Sequence, residues 1–304
     1  MFRLTFLGTS AAQPTLGRNL PALAVRRGAA RVLFDCGEGT QRQMMRYGPG
    51  FSIDAIFFTH FHADHYLGLL GFVRTLAMQD RREPLDLYGP PPARKFLDAA
   101  LHLGFDQHGF PIEIHELSGG EIVARGGWRV EVVAVDHGIA ALGFAIVEDD
   151  RPGEFRLDRA QALGIPAGPL YGKLQRGETI ELGREIVQPE AVLGPARRGR
   201  KIVVSGDTRP CAALSRAARG ADVLVHEATF ADGERERAIE TRHSTAREAA
   251  ELAREAGVAR LVLTHFSSRY EDDVSLLARE AREAFPKAEL AHDGLEIEVP
   301  LPRD

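Results

Sequence analysis

Cysteine is nearly absent from this sequence: 304 residues contain two, Cys36 and Cys211. Two isolated thiols do not staple a chain of this length, so a disulfide scaffold is excluded and each reads as a small buried residue. Long hydrophobic runs are missing as well. None approaches the ~20 residues that span a bilayer, so no membrane segment is expected. The N-terminal stretch MFRLTFLGTSAAQPT breaks its apolar run with Arg3, Gly8 and Pro14, and it lacks the form of a secretory leader. Positive charge is not in excess: 38 Lys and Arg face 43 Asp and Glu, for a net charge of -5. A globally basic nucleic-acid binder is therefore excluded, although a local basic patch is not. Internal repeats and low-complexity tracts are also missing. These absences lead to the expectation of a cytoplasmic soluble enzyme.

What is present is ample core material, with 44% hydrophobic residues. The length admits one large α/β domain or two smaller ones. Short apolar runs between turn signals predict strands at Arg3–Leu7, Arg31–Phe34, Ala55–Thr59, Trp128–Val135, Gly143–Val147, Ile202–Ser205, Val223–His226 and Arg260–Thr264. Helical spacing covers Phe72–Gln79, Ala93–Gly104 and Thr245–Ala256. The last opens on Thr245-Ala246-Arg247-Glu248, a capping-box pattern, and stops before Gly257. Strands mixed with helices in this way predict sheets covered by helices.

Residues 151–201 differ from the rest. They are rich in Gly, Pro and charge and hold few core-forming residues. Ten Lys/Arg there face six Asp/Glu, an excess of four positive charges, which leaves -9 for the remainder of a chain at -5. The segment is either a solvated excursion or a protruding arm that touches a polyanion.

The densest chemical signal is Thr59-His60-Phe61-His62-Ala63-Asp64-His65, just past a strand end. Imidazoles suit zinc, and a carboxylate can complete or share a site. His60 and His62 are two residues apart, so an extended turn aims both at one ion. Asp64 and His65 are adjacent and face a second ion at the start of the next helix. Six residues cannot close two sites. Three distant candidates each follow a strand-like run: His137 after VEVVAVD, Asp207 after IVVSG and His265 after LVLT. Singly, each is an ordinary loop residue. Together they complete two sites, with His60, His62 and His137 on one ion, Asp64, His65 and His265 on the other, and Asp207 bridging. A water between two zinc ions loses its proton near neutral pH, and the ions neutralise a phosphodiester. Asp64 can orient that water as well as bind metal.

Glu227 follows the run VLVH, and His243 precedes the Thr245 cap. A histidine polarised by a carboxylate is a suitable general acid for an alkoxide leaving group. The plainer alternative is a turn-capping Glu227 and a solvated His243. Asp35 ends the run RVLF and either hydrogen-bonds a ligand histidine or serves a turn. His102, His108, His115, His226 and His292 have no partner pattern and are read as non-ligands.

The HxHxDH run with its later His, Asp and His resembles the metallo-β-lactamase superfamily. LFDCGEGTQRQM (Leu33–Met44), SGDTRP (Ser205–Pro210), HEATF (His226–Phe230), HST (His243–Thr245) and the C-terminal AHDGLEIEV narrow it. They resemble ribonuclease Z, the transfer RNA 3′-processing endonuclease, from residue 2 to about residue 299. The resemblance implies an αβ/βα sandwich, a single metallo-β-lactamase-fold domain over 1–304 with an inserted flexible arm at 151–201. It implies two zinc ions per chain and hydrolysis just 3′ of the discriminator nucleotide of precursor tRNA. His243 then contacts the scissile phosphate or leaving oxygen, and Glu227 orients it. Gly168, Pro169 and Leu170, within GIPAGPLYGKLQRGE, match the family's tRNA-gripping exosite. Arg18-Asn19 would lie near the RNA 3′ end. The family also pairs two subunits, the arm of one serving the active site of the other, so a homodimer is expected. Two rival readings are a hydrolase of a small phosphodiester or thioester, which needs no distant grip, and a catalytically inactive RNA-binding protein, which would be expected to have lost a ligand.

Overall fold

The computed structural model describes residues 1–104 and 108–302. The chain divides into two compact units, the larger formed by Met1–Val147 with Lys201–Pro300 and the smaller built around Glu148–Arg200.

The first half of the large unit runs β1 (Phe2–Gly8), β2 (Ser10–Ala11), β3 (Ala22–Arg27), β4 (Ala30–Phe34), α1 (Thr40–Tyr47), β5 (Ala55–Phe57), α2 (Ala63–Tyr66), α3 (Leu69–Met78), β6 (Leu85–Gly89), α4 (Ala93–Leu101), β7 (Ile112–Glu116), β8 (Ile122–Arg125), β9 (Trp128–Ala134) and β10 (Leu142–Glu148). The insertion contributes α5 (Leu157–Ala162), α6 (Pro169–Gln175), β11 (Ile180–Leu182) and β12 (Glu185–Val187). The second half runs β13 (Lys201–Val204), α7 (Ala212–Ala218), β14 (Val223–Glu227), α8 (Arg235–Thr241), α9 (Ala246–Ala256), β15 (Leu261–Thr264), β16 (Phe266–Ser267), α10 (Ser275–Ala284), β17 (Glu289–Leu290) and β18 (Glu296–Val299). Each expected strand is present, its ends moved by two residues or fewer. The expected helix Phe72–Gln79 begins earlier, at Leu69, and Ala93–Gly104 ends at Leu101.

Among the described residues two seven-stranded sheets form, ordered β18-β1-β3-β4-β5-β6-β7 and β17-β15-β14-β13-β10-β9-β8. The two-residue period of a strand sorts its side chains. Phe2, Leu4, Phe6, Val32, Phe34 and Phe57 of the first sheet join Val130, Phe144, Ile202, Val204, Val225 and Val262 of the second in one core between the sheets. Their neighbours Leu33, Ile56, Phe58 and Leu87 turn outward onto α1, α3 and α4. Val203, Leu224, Leu261 and Leu263 likewise turn onto α7, α9 and α10. Burying each such side chain contributes roughly 1.5–3 kcal/mol. The layering is the expected αβ/βα sandwich.

β4 through β7 are parallel, and so are β13, β14, β15 and β17. The carboxyl ends of parallel strands are where α/β folds place ligands. β5 leads to His60, β13 to Asp207, β14 to Glu227 and β15 to His265. Gly206 makes the turn that delivers Asp207. Its φ is 61°, and a Cβ there would meet Leu142 O at 2.8 Å and Thr59 Cβ at 2.9 Å, so the backbones pack too closely for any side chain. After β14, the expected capping box forms at Thr245 and Glu248, and Gly257 closes α9 with φ 64°. Replacing such a cap by Ala costs about 1 kcal/mol.

The insertion departs from its reading as a core-poor excursion at 151–201. It spans Glu148–Arg200 and encloses its own cluster of Ala160, Ile165, Leu174, Ile180, Val187 and Val192. Its two ends are zipped together by paired backbone bonds between Arg151 and Arg197 and by the buried two-point contact of Arg200 with Glu148 at 2.7 Å. Gly168 and Pro169 have a local role. Gly168 adopts φ 142° before α6, and Pro169 occupies its first position, where the missing N–H costs nothing. Leu170 packs against the cluster.

Candidate metal centre

The seven residues expected as ligands converge at one edge of the large unit. His60 Nε2 and His62 Nδ1 lie 3.0 Å apart, and His137 Nε2 is 3.2 Å from His62 Nδ1. His65 Nε2 lies 3.4 Å from Asp64 Oδ2, and His265 Nε2 lies 3.6 Å from the same oxygen. Asp207 Oδ2 stands between the groups, 3.6 Å from His60 Nε2 and 3.3 Å from both His65 Nε2 and His265 Nε2. His65 Nε2 and His265 Nε2 are buried without a hydrogen-bond partner among the described residues. Converging nitrogens, two of them orphaned, beside two carboxylates fit a pair of divalent cations.

The opposite ring nitrogens fix these orientations. His65 Nδ1 donates to Asp35 Oδ2 at 2.8 Å. Asp35 also accepts the Thr59 hydroxyl, and Thr59 Oγ1 in turn lies 3.0 Å from His60 Nδ1. Asp35 has φ 58°, a conformation Asp tolerates better than most residues. His137 Nδ1 donates to Arg242 O at 3.0 Å, and the Ala12 amide donates to Asp64 Oδ2 at 2.9 Å. The arrangement repeats on the other side. Glu227 Oε2 accepts the Thr229 hydroxyl at 2.7 Å, and Thr229 Oγ1 lies 3.0 Å from His265 Nδ1. Each carboxylate, Asp35 and Glu227, thus serves two histidines, one directly and one through a threonine.

Burial, then the neighbouring His65, holds His60 well below the ordinary imidazole value, which keeps it a neutral donor. Burial opposes ionisation of Asp207, but His265, His65 and His60 outweigh it and hold the carboxyl well below its usual range. In His65 burial is overcome by Asp207 and Asp35, which raise it well above its ordinary value. The buried carboxylates thus draw positive charge into the pocket.

Glu227 Oε1 accepts from His243 Nδ1 at 2.8 Å and from the Thr208 amide at 3.0 Å. His243 lies 3.9 Å from Asp207 Oδ2 and stacks on His265 with ring centres 5.5 Å apart. Its position is set by Arg209, which donates to His243 O at 2.6 Å and to both oxygens of Glu248. Glu248 thus closes the helix cap and anchors Arg209 at once. Arg209, Thr59, Thr229 and Arg242 were not singled out from the sequence, although Arg209 and Thr229 stand inside the SGDTRP and HEATF motifs.

The site opens into a cleft of about 340 Å³ lined by His62, Asp64, Asp207, His243, His265, Arg237 and Arg269, among others. His102, His108, His115, His226 and His292 enter none of the ligand groups described above, and His226 is fully buried. Cys36 is buried as expected, whereas Cys211 is only half-buried at the start of α7. Arg18 is committed internally, donating to Thr9 Oγ1 and Ala291 O and lying over Phe266.

The family model described as "Metallo-beta-lactamase superfamily" matches residues 21–187, and a second, "Beta-lactamase superfamily domain", matches 175–266. The chain is 62% identical over 304 residues to Ribonuclease Z of Myxococcus xanthus, covering 99% of each chain. It is 53% identical over 300 residues to Ribonuclease Z of Gemmatimonas aurantiaca, covering 97% of this chain and 95% of that one. Among solved structures, the short form of human tRNase Z superposes with a TM-score of 0.72 at 28% identity, covering 98% of this chain and 100% of that chain.

Proposed function

This chain belongs to the ribonuclease Z family of the metallo-β-lactamase superfamily, and from that premise we propose how its own residues carry the activity. The enzyme is a metal-dependent endoribonuclease that processes the 3′ end of transfer RNA. Our reading places the cut immediately 3′ of the discriminator nucleotide, leaving a 3′-hydroxyl on the tRNA and a 5′-phosphate on the trailer.

The observation that carries this reading is the convergence of seven donor residues around Asp207 Oδ2. His60, His62 and His137 would hold one zinc ion, and Asp64, His65 and His265 a second, with Asp207 shared. When bound, the two ions supply Lewis acidity, which acidifies a water and neutralises the phosphodiester. Asp64, fixed by the Ala12 amide, orients the attacking water. His243, oriented by Glu227, gives its proton to the leaving 3′ oxygen.

The insertion is assigned the grip on the tRNA body, through Gly168, Pro169 and Leu170 and the exposed cations Arg159 and Lys173. Its excess of positive charge over an acidic remainder supports this. The family resemblance supports pairing of two copies and a cytoplasmic setting. No helix of the described residues is long and apolar enough to cross a membrane.

The test is incubation of the purified protein with an end-labelled precursor tRNA, mapping the product ends. One cut after the discriminator supports the reading. Hydrolysis of small phosphodiesters with the precursor left intact overturns it.

A further inference from the structure

The cleft beside the ligands carries two arginines, Arg237 and Arg269. Arg269 is already engaged: it pairs with Glu234 and lies 5.3 Å above the Phe230 ring. Arg237 is exposed and has no acidic partner among the described residues. Its helix, α8, is tied to the metal site. The Arg242 carbonyl at the end of α8 accepts from His137 Nδ1 at 3.0 Å, and the His243 amide donates to Ala238 O at 2.8 Å. Ala238, next to Arg237, is fully buried and fixes the turn that carries it.

An uncompensated guanidinium on a fixed helix, in a cleft that takes an RNA strand, is suited to a phosphate. The reaction holds one phosphate at the ligands, and a polynucleotide brings the next one into the same cleft. We propose that Arg237 binds a phosphate flanking the scissile one, and so favours a polynucleotide over a lone phosphodiester. The inference rests on the endonuclease reading above.

The test compares Arg237→Ala, Arg237→Lys and, as a control on the exposed side of α9, Arg254→Ala. The substrates are precursor tRNA and bis(p-nitrophenyl) phosphate, which has a single phosphate. For Arg237→Ala, KM for the precursor should rise about tenfold, as expected for one lost charge-assisted contact. The salt slope of binding should fall by about 1, and the ratio of precursor to small-diester activity should fall about tenfold. Arg237→Lys should restore most of the affinity, and Arg254→Ala should match the parent. A precursor with a methylphosphonate beside the scissile linkage should penalise the parent and not Arg237→Ala. An unchanged KM and salt slope in Arg237→Ala would overturn the assignment and leave the endonuclease reading standing. Failure of the parent to cut the precursor would remove that reading itself.

Discussion

Glu227 Oε1 accepts the Nδ1 proton of His243 across 2.8 Å, with Glu227 only 1% exposed. Burial disfavours a charged His243, yet Glu227, and Asp207 after it, raise it to about 9. A general acid works below its own pKa. In Glu227→Gln the attracting charge is gone, so the pKa falls and the acid form is lost at lower pH. The alkaline limb of the kcat profile should therefore move toward neutrality. A limb that stays in place would mean that another group gives the proton.

His243→Ala removes the acid but none of the seven proposed ligands. The cleavage rate should fall by roughly 10²–10⁴ with metal content unchanged. Because His243 and Glu227 act as one unit, the double variant should be little worse than the single one. Loss of metal in His243→Ala would make the residue a ligand instead.

Asp35 steadies His65 directly and His60 through Thr59. Asp35→Asn keeps a residue type that tolerates φ 58° but removes the charge. Metal affinity, measured by competition with a chelator, should weaken about 10–100-fold. Unaltered affinity would assign Asp35 to the turn alone.

Val147 and Lys201 are antiparallel partners in β10 and β13, so the insertion interrupts the chain between two paired strands, where a hairpin turn would stand. Replacing residues 148–200 with Asn-Gly should close that hairpin as a two-residue turn and keep the large unit folded. The shortened protein should retain metal and cleave bis(p-nitrophenyl) phosphate. Its precursor cleavage should fall mainly through KM, with a flatter salt dependence. Processing equal to the parent would deny the insertion a substrate role.

His60, Asp207 and His265 were legible because each follows a buried strand, where a near-continuous apolar run stops abruptly, and His62, Asp64 and His65 because they crowd directly after His60. The same logic exposed the strands β5, β13, β14 and β15, whose residues are almost all buried. β8 was missed because it is a short edge strand, four residues without polar–apolar alternation. β3 was missed although it is buried, since two of its first three residues are the small Ala22 and Ala24. The small core of the insertion was missed because Ile165, Leu174 and Ile180 stand singly among polar residues, Gly and Pro, at no regular period. Glu248 was readable as half of a capping box. Its hold on Arg209, 39 residues away, belongs to tertiary structure and has no local signature.

The dinuclear centre depends most on Asp207, which stands within 3.6 Å of His60 and 3.3 Å of both His65 and His265. Elemental analysis of the purified protein beside Asp207→Ala tests it most directly. The parent should hold about two transition-metal ions per chain, because seven ligands exceed what one tetrahedral ion can use. Asp207→Ala should lower the occupancy of both sites. A single tightly held ion in the parent, or two ions undiminished in Asp207→Ala, would contradict the dinuclear centre.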